Sequence, residues 1–176
     1  ADTLRHFHEE VVAPALEALW ACDVPLVAQL ERACVGGGLE IACQCDLRIA
    51  GTSTRFGAPI AKLGFPMAPD EVVAVSHVLD RGTAAEMLLE ARLLDAAEAK
   101  ARGLVQRVVA DEDVAGECEA TAARIAAGAP QAARLNKRTL RWVAEGQRDF
   151  SAAQRRELAA YADSADHREG ILAFNE

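Results

Sequence analysis

The chain has 176 residues, enough for one domain with a sizeable hydrophobic core. Hydrophobic residues make up 51% of it, a composition that indicates a globular protein and excludes a disordered chain. The net charge of −8 argues against nucleic-acid binding, which normally needs a basic face. No segment has the unbroken apolar length of a membrane span, so no membrane association is expected.

The cysteines and the N-terminal histidines indicate neither a disulfide framework nor a metal site. The number of cysteines is odd and their spacing is irregular, which is not typical of a disulfide framework. We interpret them as small buried hydrophobic residues in a reducing compartment, and therefore expect a cytoplasmic protein. These cysteines are Cys22, Cys34, Cys43, Cys45 and Cys118. His6 and His8 are predicted to be surface residues of a helix, because nothing later in the chain completes a metal-binding set around them.

Hydrophobic periodicity predicts short strands between helices in the first part of the chain. Pro14 predicts a kink or a break in the first helix. The predicted elements are a helix over 3–22, a strand over 26–30, a loop over 31–36, a helix from about Gly37 or Gly38 to Cys45, strands over 47–50 and 55–57, and an irregular or single-turn stretch over 59–65.

The second part is predicted to be mostly helical, with Asp70 and Asp95 as N-caps. Its elements are helices over 70–79, 83–91 and 95–101, a strand over 104–109, and helices over 112–128, 130–145, 151–162 and 166–174. Strands and helices thus alternate at first, and helices alone follow. This organisation predicts an α/β core over 1–111 and a helical region over 112–176.

The triple glycine of residues 36–38, with Glu40 close behind, is the strongest candidate for chemistry. Glycines allow close approach to a ligand, and the first N–H groups of a helix point outward without partners. Such donors stabilise an oxygen that develops negative charge, and Glu40 lies close enough to exchange a proton with the bound molecule. The alternative is a simple turn, with a glutamate favoured by the helix dipole.

The ordered set of motifs resembles the crotonase superfamily, which comprises enoyl-CoA hydratases, isomerases and their relatives. The matching segments are spread over nearly the whole chain. They are PLVA at 25–28, GGGLEIACQCDLRIA at 36–50, RFGAP at 55–59, KLGFP at 62–66, LLDAAEA at 93–99, GLV at 103–105 with Val108 and Val109, Ala129-Pro130, Asn136-Lys137, and HREGILAF at 167–174.

This resemblance implies a spiral of ββα turns that forms two nearly perpendicular sheets, and a C-terminal helical region that packs into homotrimers or hexamers. It also implies an acyl-CoA thioester as substrate and no separate cofactor. Two backbone N–H groups would hold the oxygen of a thioester enolate. One of them belongs to the middle glycine, Gly37, and Glu40 would be the acid/base.

The same resemblance implies a set of substrate-binding residues around these motifs. They are Gly36, Gly38, Pro59, Ile60, Leu63, Gly64 and Phe65. Phe56 and Lys62 are further candidates for lining or supporting an acyl pocket, although core packing explains the aromatic side chains equally well. Phe174 is expected either to help cover CoA or to pack in a subunit interface.

The chain departs from the family pattern at its start. The family's N-terminal third, which carries the second oxyanion N–H and much of the CoA pocket, is expected to be missing here. We therefore expect the natural protein to be longer than this chain.

A second departure concerns the carboxylate pair used for hydration. The family places its second carboxylate after Phe-Gly-x-Pro, where this chain has Ile60, which can neither hold nor activate water. Asp70 or Glu71 could enter the site and replace it. The alternative is that Asp70 only caps its helix and that Glu71 faces solvent.

Several functions remain open at this point. The leading hypothesis is an enoyl-CoA hydratase or isomerase, and a single carboxylate suits isomerisation better than water addition. An acyl-CoA decarboxylase and a catalytically weak acyl-CoA-binding protein are the alternatives. A structural subunit of a larger hydratase complex is a third possibility.

Overall fold

The computed structural model describes residues 2–174, which divide into two compact units. The first unit comprises the residues up to Cys22 and Leu26–Ala122. The second comprises Asp23–Pro25 and the residues from Ala123 onward. Within the described residues, no helix is both long enough and apolar enough to cross a bilayer.

Short parallel strands in the first unit form two sheets. The three-stranded sheet has the order β1-β3-β5, and the other sheet pairs β2 with β4. The strands are β1 Val27–Leu30, β2 Ala33–Val35, β3 Leu47–Gly51, β4 Arg55–Gly57 and β5 Arg107–Val109. Because β1 and β2 precede a helix and β3 and β4 precede further helices, the chain has the α/β character and the ββα order that were expected.

The prediction of a loop over 31–36 was wrong, because residues 33–35 form β2. The buried Cys34 lies opposite the fully buried Phe56 in the ladder between β2 and β4. A strand of three residues is too short to produce a recognisable alternation of apolar and polar positions. The strand predicted over 104–109 is also shorter, because Leu104 and Val105 pack in the core ahead of β5.

Helices make up most of the remaining structure. They are α1 Asp2–Phe7, α2 Ala13–Ala21, α3 Gly37–Gln44, α4 Pro69–Ser76, α5 Arg81–Leu89, α6 Ala96–Ala101, α7 Val114–Ala126, α8 Pro130–Ala144, α9 Ala152–Leu158 and α10 Ala165–Phe174, with 3₁₀ turns at Pro59–Leu63, Asp111–Asp113 and Ala160–Asp163.

A π-helical turn joins α1 to α2 over His8–Val12. Pro14 lies in the first turn of α2, where it lacks an N–H and its ring would clash with the carbonyl four residues earlier in a regular α-helix. The wider π turn accommodates this local conflict. The predicted kink or break is therefore a π-helical stretch ahead of the proline.

The cap residues agree only in part with the sequence prediction. Asp95 caps α6 as expected, and its carboxylate accepts the Glu98 N–H at 2.8 Å. Asp70 is not an N-cap, because α4 begins one residue earlier, at Pro69, and its N-cap is Ala68. Proline is well suited to the first position of a helix, so the helix begins at the proline, earlier in the chain than predicted.

The core of the first unit lies between the two-stranded sheet and helices α3 to α6. Phe56, Met87 and Leu94 are fully buried there, and Leu39 of α3 is nearly so. Phe56 and Leu94 also exchange backbone hydrogen bonds of 2.9 and 2.8 Å. Phe56 is therefore a residue of this core.

All five cysteines lie within residues 2–174 and none of them forms a disulfide, but their burial differs from one to another. Cys34, Cys43 and Cys118 are buried as predicted, whereas Cys22 and Cys45 are only partly buried. Burial raises the pKa of the Cys34 and Cys43 thiols to about 12, so both stay protonated.

The second unit consists mainly of α8, α9 and α10. Lys137 of α8 is buried, and its Nζ donates to the Val24 carbonyl at 2.8 Å. Arg138 pairs with Asp23 at 2.5 Å and lowers the pKa of that carboxyl. The side chain of Phe174, for which the sequence predicts a role in CoA or subunit contacts, lies outside the described residues.

Replacement of Gly57 by alanine is expected to destabilise the first unit. A Cβ at this position would lie 2.8 Å from the Arg92 carbonyl oxygen and 2.7 Å from Leu93 Cδ2. We expect G57A to lower the free energy of unfolding, measured by urea titration, by about 2 kcal/mol.

A matched control for this prediction is G116A in α7. A Cβ on Gly116 meets no atom within 4 Å, so alanine should stabilise the helix by up to about 1 kcal/mol. Equal stability of G57A and the wild type would contradict the close packing described at Gly57.

Candidate active site

The glycine motif forms the junction between β2 and α3. Gly36 donates its N–H to the Gly57 carbonyl at 3.0 Å, which extends the pairing of the two-stranded sheet. Its φ of +53° lies in the left-handed region, which favours glycine. The chain then turns directly into α3, so the Gly37 N–H is one of the first donors of a helix.

Glu40 lies in the first turn of α3 and is 6% exposed. A Cβ built on Gly37 would be 3.9 Å from Glu40 Oε2, so this carboxyl group lies beside the backbone of the motif. Burial, and secondarily the charge of Glu71, raises the pKa of Glu40 to about 7, although His8 opposes the shift. A carboxyl group with this pKa can both donate and accept a proton near neutral pH.

A pocket of about 510 Å³ opens in front of Gly37 and Glu40. One wall is formed by apolar residues of the N-terminal helices, among them Phe7, Val11 and Leu16. Ile60 and Phe65 contribute to the lining from the segment after β4. The lining is therefore mostly apolar, with a few polar groups, as expected of a site for a small organic molecule.

Glu71 enters the same pocket from the first turn of α4 and is 6% exposed. Its Oε2 accepts the Ala68 N–H at 3.4 Å, and its other oxygen is hydrogen-bonded to the ring Nδ1 of His8. Asp70 is exposed and does not line the pocket. The side chain of Glu71 therefore faces the pocket, as one of the two alternatives from the sequence predicted. Asp70 neither enters the pocket nor caps α4.

His8 is a pocket residue that the sequence analysis missed. It was predicted to be a surface residue, but its side chain is 24% exposed and is paired with Glu71. Its partner is 63 residues away in the chain. No local pattern could have indicated this contact, whereas His6 is exposed as predicted.

The structure brings together only some of the residues implied by the family resemblance. Of these residues, Gly36, Gly37, Glu40, Ile60 and Phe65 line the pocket. Glu71, which the sequence suggested as a replacement for the missing second carboxylate, lines it as well. Gly38, Pro59, Leu63 and Gly64 are not among its lining residues, and Lys62 is exposed. Leu63 is 71% exposed.

The arrangement can therefore stabilise an oxyanion and move protons. The donors at the start of α3 supply fixed N–H groups, and Glu40 supplies an acid/base near neutral pH. His8 and Glu71 supply a second titratable pair in the same pocket. Within residues 2–174, no cluster of three or more His, Cys, Asp or Glu side chains is placed to hold a metal ion.

The chain matches a family model described as enoyl-CoA hydratase/isomerase over residues 4–176. It is 34% identical over 160 residues to a probable enoyl-CoA hydratase of Mycobacterium bovis, with 90% of this chain and 62% of that protein covered. It is 32% identical to a crotonyl-CoA hydratase of Syntrophomonas wolfei, with 89% and 60% covered.

Solved structures of proteins described as enoyl-CoA hydratases are also similar to this chain. The crystal structure of an enoyl-CoA hydratase/carnithine racemase from Magnetospirillum magneticum superposes with a TM-score of 0.93 at 40% identity. It covers 99% of this chain, and this chain covers 65% of it. The chain thus spans a little less than two thirds of the proteins it matches.

The raised pKa of Glu40 predicts a specific dependence of stability on pH. As pH rises above the ordinary glutamate value of 4.5, the unfolded chain loses this proton first, while the folded chain holds it up to about pH 7. Glu40 therefore opposes folding increasingly over this window, and the cost is complete above it.

The variant E40Q removes the charge and keeps the shape of the side chain. We expect its free energy of unfolding, relative to wild type, to increase by about 1–3 kcal/mol between about pH 4.5 and pH 8. Urea denaturation of both proteins at the two pH values measures this change. A difference between the proteins that does not vary with pH would contradict the raised pKa.

Proposed function

The chain belongs to the enoyl-CoA hydratase/isomerase family, and we propose that the protein acts on acyl-CoA thioesters through an enolate intermediate. The Gly37 N–H contributes to the oxyanion site, and Glu40 transfers the proton at the carbon next to the thioester. Because this chain spans less than two thirds of its matched relatives, the substrate and the reaction are proposals for the whole protein.

The position of Glu40 supports this proposal most strongly. The carboxyl group is buried beside the first N–H groups of a helix, in a mainly apolar pocket, and its pKa is about 7. An enolate forms when a base removes a proton next to a carbonyl while fixed donors hold the developing oxyanion. Both groups are present on α3, separated by less than one helical turn.

Hydration is favoured over isomerisation by the second acid/base pair in the pocket. Ile60 at the usual position of the second carboxylate suits isomerisation, a reaction for which one carboxylate suffices. Glu71 and His8, however, line the same pocket as Glu40. Water addition needs a group that activates water besides the one that protonates carbon, and this pair supplies it.

A direct assay separates these reactions. The full-length protein is mixed with crotonyl-CoA or with a 3-enoyl-CoA, and the absorbance of the conjugated thioester is followed. Loss of the crotonyl-CoA signal is the expected result and indicates hydration. A rise with the 3-enoyl-CoA alone would indicate isomerisation, and no change with either would favour decarboxylation or acyl-CoA binding without turnover.

The homotrimer or hexamer implied by the family resemblance stays a prediction. Light scattering of the purified full-length protein measures its mass in solution. A monomer would contradict this assembly.

Loss of the Glu40 carboxylate is expected to reduce turnover strongly. Acid/base catalysis by one side chain contributes about 10²–10⁴-fold, so E40Q should lower kcat by about this factor on whichever substrate reacts. The matched control is E10Q, which removes an exposed carboxylate that does not line the pocket. E40Q activity equal to that of E10Q would contradict the proposed role of Glu40.

A further inference from the structure

The pocket of the first unit contains a His–Glu pair on the residues His8 and Glu71. We infer that His8 is a catalytic base that activates water for addition to the enoyl-CoA, and that Glu71 is a positioning residue that orients its ring. This inference rests on the proposed function. Ile60 stands where the family pattern has a second carboxylate and cannot activate water. In this inference, His8 takes over that function.

The hydrogen bonds of Glu71 indicate positioning rather than direct proton transfer. One carboxylate oxygen accepts the Ala68 N–H at 3.4 Å, and the other is hydrogen-bonded to His8. Both oxygens thus have protein partners. Burial on the first turn of α4 also fixes the carboxylate on a regular element.

The same contact determines which ring nitrogen of His8 is available. A carboxylate anion has no proton to donate, so in a pair of ionised Glu71 and neutral His8 the ring Nδ1 is the donor. In the neutral imidazole, the proton is then on Nδ1 and the lone pair on Nε2 is left to accept a proton. A carboxylate that orients a histidine base in this manner is a recurring arrangement in enzymes.

The surroundings of His8 also fit this role. The residue begins the π-helical turn, and such turns occur frequently at functional sites. Its ring contacts Phe7 edge-on, with centroids 5.5 Å apart, which limits its movement on one side. The titratable groups that share the pocket with it are Glu40 and Glu71, and Glu9 on its own helix is paired with Arg5.

The step balances with groups already in the site and water. His8 Nε2 accepts a proton as the water oxygen bonds to the β-carbon. The electrons of the double bond move to the thioester oxygen, which the Gly37 N–H helps to hold. Protonated Glu40 then delivers its proton to the α-carbon and re-forms the carbonyl. Proton exchange with solvent returns His8 and Glu40 to their starting forms.

The first test uses H8A and H8N in the full-length protein, with H6A as the matched control. His6 is exposed and does not line the pocket. We expect both His8 variants to lower kcat for crotonyl-CoA hydration at least about a hundredfold, and H6A to match wild type. Added imidazole should restore H8A activity at least tenfold, a rescue that a merely structural role would not give.

The outcomes separate this inference from the proposed function. Wild-type hydration with undiminished activity of H8A and H8N would overturn the inference alone. Failure of wild type to act on any acyl-CoA would instead overturn the proposed function, and the inference with it. Circular dichroism and the thermal midpoint check the folding of both variants, and H8N keeps a side-chain N–H donor in case H8A does not fold.

Variants of Glu71 test the positioning role. E71Q loses the negative charge and can present either end of its amide to the ring. We expect a kcat about tenfold or more below wild type with KM within about twofold, and a smaller loss in E71D. A kcat equal to wild type in E71Q would overturn the assignment of Glu71.

Discussion

Two carboxyl groups, those of Glu40 and Glu71, are buried in one mainly apolar pocket, and the rest of the site depends on how their charges are accommodated. Burial of two like charges is costly unless one is neutralised or both are compensated. Glu71 is compensated by the Ala68 N–H and by His8. Glu40 instead retains its proton to a higher pH, because burial and the charge of Glu71 disfavour its ionised form.

The backbone around these groups is held by contacts that fix α3 and α4 to one another. The buried Gln44 donates its side-chain N–H groups to the carbonyls of Glu40 and Ala74, at 3.1 and 2.9 Å. Gly36 ties the start of α3 to β4. A carboxyl group and an oxyanion donor on such a rigid frame need little reorganisation during reaction, which is the main advantage of a preorganised site.

The sequence allowed prediction of those site residues that lie close to one another along the chain. Gly37 and Glu40 share one helical turn, so the glycine motif and the nearby carboxylate already indicated an oxyanion site with an acid/base. The alternation of strands and helices likewise indicated the α/β class. The strand β2 was missed because three residues carry too little pattern, and its partner is more than a dozen residues away.

The contact between His8 and Glu71 could not be predicted because it joins two helices far apart in the chain. His8 was placed on the surface since an isolated helix pattern gives no indication of what packs against it. For the same reason, the sequence does not determine whether the side chain of Glu71 faces the pocket or the solvent. The prediction that Asp70 caps α4 was wrong because Pro69 is favoured at the first helical position, so the helix begins one residue earlier than predicted.

The most direct test of enolate formation by Glu40 is exchange of the α-protons of a saturated acyl-CoA, butyryl-CoA, with D2O. This exchange reports enolate formation itself, whatever the later steps are. We expect the full-length wild-type protein to catalyse this exchange, and E40Q to catalyse it at least about a hundredfold more slowly. Absence of exchange with wild type, or equal rates for both proteins, would contradict enolate formation by Glu40 at this site.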